Sequence, residues 1–242
     1  MLKILTVALL PSLLIQGYFV KKHTPRLPEP EGQRKGTTHT GKPALSILIV
    51  GDSAAAGVGV AQQEDALLGA LLKQLSANFT VSYQLEAKTG DTTEQLLTRI
   101  RALPAQKFDL VISSIGVNDV TKLISPKKWL QQQKVLYSVI ERKFSPQQIM
   151  VTAVPAMNHF PALPNPLAWL FGRYSTTMNI ALQKWIESQP HQPKYSLISF
   201  DVQEFQTLKL QMASDGFHPA KEIYQLWGQQ IVEALHYNKV AK

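Results

Sequence analysis

The sequence has no cysteine, which excludes disulfides, thiolate zinc sites and a cysteine nucleophile while leaving the redox compartment open. Charge is also sparse. Asp, Glu, Lys and Arg make up 17% of the 242 residues, against 45% hydrophobic residues, a globular composition with slightly few charges. There is no arginine-rich helix and no alternation of aromatic with basic residues, so no nucleic-acid partner is expected. No histidine and carboxylate cluster has metal-ligand spacing, so no metal is expected. The small-residue stretch Gly51–Gly59 is not followed by Lys-Ser or Lys-Thr, and no dinucleotide fingerprint occurs, so no cofactor is expected either.

The charge that is present is unevenly spread. The formal net charge is +8, of which residues 1–42 carry +5 and the other 200 residues +3. That basic excess borders an apolar stretch from Ile4 to Val20, broken only by Pro11, Ser12, Gln16 and Gly17. Positive charge beside an apolar segment points to anionic lipid. As a helix the stretch measures about 26 Å, a little short of a bilayer core of ~30 Å. It ends in bulky Gln16-Gly17-Tyr18-Phe19-Val20 with no small-x-small site, which disfavours a cleaved signal peptide. A buried amphipathic helix would need a polar face, which the segment lacks. We therefore expect residues 1–22 to be an uncleaved membrane anchor, contacting the membrane through residues 4–20 and placing the protein at the cell membrane. The basic residues after the segment favour a cytoplasmic body, whereas a signal anchor would deliver it to the periplasm. Residues 23–43 contain Pro25, Pro28, Pro30 and Pro43 and read as an extended linker to a domain over 44–242.

The domain opens on Leu45–Val50, an apolar run rich in branched residues and suited to a strand buried on both faces. Further strands are expected at 81–87, 109–115, 149–154 and 195–200, and helices at 64–77, 92–103, 127–144, 167–188 and 219–237. Strands alternating with helices predict a three-layer α/β/α, flavodoxin-like fold whose five parallel strands run in the order 2-1-3-4-5.

Polar clusters stand where these strands end: Gly51-Asp52-Ser53, Thr89-Gly90-Asp91, Gly116-Val117-Asn118-Asp119 and, after a short excursion, Asp215-Gly216-Phe217-His218-Pro219. Each alone could be a turn. In a parallel sheet all four reach one edge, where α/β folds bind ligands.

In order and content these blocks resemble the SGNH, or GDSL-type, esterase and lipase family, although Ala54 stands where the family usually has leucine. The resemblance implies that Ser53 is the nucleophile, His218 its general base and Asp215 the carboxylate that fixes the histidine tautomer. Such an arrangement meets the need of a weakly nucleophilic hydroxyl for a neighbouring base. It also implies an oxyanion hole built from the Ser53 amide, the Gly90 amide and the Asn118 side chain. Asp52 and Asp119 read as structural acids that bond loop amides. His159 is the rival base but has no adjacent carboxylate. The proline-rich, apolar stretch 155–166 could wall an acyl pocket, touch a membrane surface or simply pack on its own helix. The expected function is a metal-independent serine esterase that cleaves carboxylic esters through an acyl-enzyme. Candidate partners are lipid or lysophospholipid acyl esters and acetyl esters of envelope glycans. The alternatives are a non-catalytic module that binds acylated lipids or glycans on the same fold, and a small-ligand binder of flavodoxin type.

Overall fold

The computed structural model describes residues 9–39, 41–189, 195–200 and 207–235. Six strands form one sheet: β1 (Lys35–Thr37), β2 (Ala44–Gly51), β3 (Thr80–Ala87), β4 (Leu110–Ser114), β5 (Gln148–Thr152) and β6 (Tyr195–Ile198), in the order β1-β3-β2-β4-β5-β6. Strands β2 to β6 are parallel and follow the expected order. The five-stranded expectation needs correction, because β1 comes from the proline-rich stretch and pairs antiparallel with β3. Its polar Lys-Gly-Thr sequence carries no strand signal. It forms where the outer edge of β3 is open, and Thr37 Oγ1 meets Ser82 Oγ at 3.1 Å.

Alternation along β2 divides the core into two layers. Leu45, Ile47 and Ile49 face α3 (Leu67–Leu75) and α8 (Lys221–Glu233), in a cluster with Tyr224 and the fully buried Trp227. Leu48 and Val50 face the opposite layer, made by α4 (Thr93–Ala102), α6 (Pro126–Phe144) and α7 (Leu167–Glu187), in a cluster with Trp129 and Leu136. Each large side chain so buried contributes about 1.5–3 kcal/mol. Two short helices, α2 (Ser53–Ala56) and α5 (Val117–Thr121), cap the carboxyl ends of β2 and β4.

The expected helix at 64–77 splits into a 3₁₀ turn, Gln63–Asp65, followed by α3. The helix expected from Pro219 begins two residues later, because Pro219 forms a bridge with Met212. Residues 236–237 of that expected helix lie outside the described residues.

Helix α1 (Leu10–His23) covers the later part of the apolar segment, and residues 4–8 of that segment lie outside the described residues. Among the described residues no helix is long and apolar enough to cross a membrane.

The chain leaves β2 for β3 on one side and returns to β4 on the other. The carboxyl ends of β2 and β4 therefore flank the point where the connection reverses direction, the ligand-binding position of open α/β sheets.

Candidate active site

Gly51, the last residue of β2, lies level with Ala87 of β3 and with Ser114 of β4. Ser53, Gly90 and Asn118 follow that rung by two, three and four residues, so three loops open side by side. Backbone bonds lock them together: Asp52 N to Ser114 O at 3.1 Å and Lys88 N to Gly51 O at 3.2 Å. The Asp52 carboxylate accepts from Ala54 N at 3.1 Å and starts the turn that carries Ser53.

The fourth loop crosses this edge from the amino end of α8. His218 Nε2 lies 2.8 Å from Ser53 Oγ, and His218 Nδ1 lies 2.5 Å from Asp215 Oδ2. The other Asp215 oxygen accepts the backbone amides of Phe217 at 2.9 Å and His218 at 3.0 Å. Burial acts to raise the Asp215 carboxyl, but the His218 ring and these two amides outweigh it and hold the group below the usual carboxylate range. The Asp215 side chain is 1% exposed and that of His218 17%. A carboxylate is thus sheltered behind an imidazole whose far nitrogen reaches a serine hydroxyl, all within hydrogen-bond range.

The loop's position depends on Gly59, which has φ +115°. A Cβ there would stand 2.2 Å from the carbonyl oxygen of Pro219, the residue after His218. Neither Gly59 nor the bond from Tyr224 Oη to Val58 O, at 2.7 Å, is marked by any sequence motif.

Gly90 and Asn118 come together on the other flank. Asn118 Nδ2 donates to Asp91 O at 3.0 Å, which ties the loop after β4 to the Gly90–Asp91 turn. An amide nitrogen carries two hydrogens, so one remains for a ligand. Gly90 has φ +86°, and a Cβ there would meet no atom of the described residues within 4 Å. Backbone conformation therefore demands glycine at this turn. Asp91 in turn is bonded to Arg99.

Behind the serine lie two buried acids. Burial pushes Asp52 up to about 7, with the Asp119 and Asp91 charges adding to the rise against amide bonds from Ala54 and Gly116. Burial likewise pushes Asp119 up to about 6, opposed by the Thr93 amide and hydroxyl, both at 3.0 Å. Among the described residues the Asp119 Oδ1 atom is buried without a hydrogen-bond partner. Asp52 thus bonds the loop amide of Gly116, as expected, whereas Asp119 bonds the amide of Thr93, the first residue of α4.

A cavity of about 880 Å³ opens beside Ser53 and His218, walled by Phe160, Phe200, Met212, Phe217, Ile223 and Trp227. Its volume falls in the range of small-molecule sites. The stretch 155–166 supplies part of this wall. Phe160 packs edge-on against Phe217 with ring centroids 5.1 Å apart, and Ala162 N donates to Gly216 O at 3.1 Å. The contribution of residues 209–213 to the cavity has no counterpart in the sequence reading. His159 is exposed and lines the same cavity, with no carboxylate bonded to its ring among the described residues. Also among the described residues, no group of three or more His, Asp or Glu side chains is placed to hold a metal ion.

Residues 49–226 match the family model described as GDSL-like Lipase/Acylhydrolase. A lipolytic protein of the G-D-S-L family from Veillonella parvula DSM 2008 superposes with a TM-score of 0.62 at 12% identity, over 78% of this chain and 97% of that one. The psychrotrophic esterase EstA from Pseudoalteromonas sp. superposes at 0.58 with 20% identity, over 78% and 95%. The acetylxylan esterase Axe2 from Geobacillus stearothermophilus gives 0.55 with 14% identity, over 80% and 94%. At these identities the likeness is one of fold. No match is found among curated proteins.

Proposed function

This chain belongs to the GDSL-like lipase/acylhydrolase family and is a carboxylic ester hydrolase, and from that premise we propose that it acts through Ser53, His218 and Asp215 on esters with an extended acyl chain. The observation that carries the proposal is the continuous line from Asp215 Oδ2 through the His218 ring to Ser53 Oγ, at 2.5 and 2.8 Å.

In this reading His218 Nε2 takes the Ser53 proton as Oγ attacks the ester carbonyl. Asp215 holds the ring with Nε2 toward the serine and stabilises the imidazolium that forms. Negative charge on the carbonyl oxygen is met by the Ser53 and Gly90 amides and the second hydrogen of Asn118 Nδ2. The imidazolium then protonates the departing alkoxide, leaving an acyl group on Ser53. Water, deprotonated by the same ring, releases the acid and restores the hydroxyl.

The apolar wall formed by Phe160, Phe200, Phe217 and Trp227 supports acyl chains longer than acetate. An acetyl group would leave most of an 880 Å³ cavity unfilled. Of the two candidate classes, lipid-type acyl esters therefore fit better than acetylated glycans.

The test is hydrolysis of p-nitrophenyl esters of graded chain length by the parent and by Ser53→Ala. The proposal expects kcat/KM to rise from acetate toward medium or long chains, and activity to vanish in the variant. A sharp optimum at acetate would overturn the substrate class, and hydrolysis that persists in Ser53→Ala would overturn the role of the serine.

A further inference from the structure

We propose that α1 lies in the plane of a membrane surface, its inner face fixed to the domain and its outer apolar face seated among the headgroups of an anionic bilayer. This goes beyond the hydrolytic reading and does not depend on it.

The helix is docked along its length. Leu9, Leu13, Gln16 and Val20, spaced by helical turns, face the domain. Leu13 is buried in the core cluster, with Leu9 and Val20 packed against it. Gln16, near the middle of α1, donates to Asn165 O at 2.6 Å and accepts from Leu167 N at 3.0 Å. Those partners are domain backbone at the start of α7. A helix held there cannot also span a bilayer, because spanning would break both bonds and place the Gln16 amide in hydrocarbon. Gln16, an interruption in the sequence pattern, is thus the polar contact of the docked face.

The opposite face is apolar and open. Leu10, Leu14, Ile15, Tyr18 and Phe19 are 43–65% exposed and together cover about half of the helix circumference at 100° per residue. So large a contiguous apolar patch marks an interaction surface. Trp169, in the first turn of α7 beside the dock, is 39% exposed, and an amphipathic ring of this kind suits a membrane–water boundary.

Charge selects the occupant. Lys21, Lys22 and His23 form the last turn, Arg26 follows, and all four are exposed. No acidic residue precedes Glu29 in the chain, and the Glu29 carboxylate is engaged by Arg34 and Thr89. A second copy of this chain would bring charge of the same sign to the face, whereas an anionic bilayer brings the opposite sign. An apolar helix face with flanking cations is the composition of an interfacial helix.

The test uses the full chain carrying Ser53→Ala, so that binding is read without turnover. Binding is measured by co-sedimentation with phosphatidylcholine vesicles, with and without phosphatidylglycerol. The proposal expects preference for the anionic vesicles and release by alkaline carbonate. It expects loss of at least about tenfold in affinity for Leu14→Ser/Ile15→Ser/Phe19→Ser. It also expects a loss of about 30-fold for Lys21→Gln/Lys22→Gln on anionic vesicles, at about fivefold per cation. Equal binding by the triple variant would overturn it, as would retention of the chain through carbonate, which indicates spanning. So would a triple variant that dissolves a dimer, seen by sedimentation velocity, without altering vesicle binding.

Discussion

Asp215 accepts three hydrogen bonds, one from the ring it orients and two from the loop that carries the ring. Asp215→Asn should therefore lower kcat by up to about 10⁴-fold with little change in KM, because the wrong tautomer is favoured at Nδ1. Steady-state kinetics on a soluble ester check this, and a fall of less than tenfold would argue against the orienting role. Asn118 bridges to Asp91 O with one hydrogen and has one left. Removing a single oxyanion donor commonly costs ~10²–10³ in turnover, so Asn118→Ala should fall in that range. His159→Ala should leave kcat within a few-fold of the parent, because its ring has no bonded carboxylate among the described residues. Equal losses in His159→Ala and His218→Ala would contradict the assignment of the base.

At the scale of elements, the site is a matter of loops delivered to a common rung by β2, β3 and β4, with the loop before α8 folded across them. Much of this is legible in sequence, because the small polar clusters interrupt apolar runs and the strand count sets the edge they share. The extra strand β1 is not legible. Lys35-Gly36-Thr37 has no apolar alternation and is extended only because β3 offers it an open edge. Nor is the docking of α1, which turns on Gln16 meeting backbone about 150 positions away. Nor is the cavity wall at 209–213, since its residues bear no mark of their role until the loop is folded. Gly59 is a further hidden element. Gly59→Ala should displace Pro219, and with it His218, because the new methyl group would lie 2.2 Å from the Pro219 carbonyl. We expect activity to fall at least tenfold while circular dichroism reports an intact α/β sheet. Unchanged kcat/KM would show that the loop position does not depend on this contact.

For the whole molecule, the carboxylates around the site pull stability in opposite directions with pH. Asp215 is held low in the folded state, so the stability it contributes is complete above its unfolded value and is lost as pH falls through its lowered folded one. Asp52 is the reverse case. Its folded value is raised from 3.8 to about 7, so its contribution is full at acid pH and is lost as pH climbs through that window. Asp52→Asn removes this loss. Urea unfolding should show the variant gaining on the parent between about pH 4 and pH 7 and running parallel to it above, by an amount of the order of a few kcal/mol at most. Parallel profiles would contradict the buried acid's role. On the proposed mechanism, above all, distant loops make one nucleophile of Ser53. The most direct measurement is peptide mapping by mass spectrometry after reaction with a fluorophosphonate, on the parent, Ser53→Ala and His218→Ala. One phosphonyl adduct per chain is expected, located on Ser53, absent from Ser53→Ala and formed far more slowly in His218→Ala. An adduct on another residue, or a parent chain that stays unmodified while it hydrolyses esters, would contradict it.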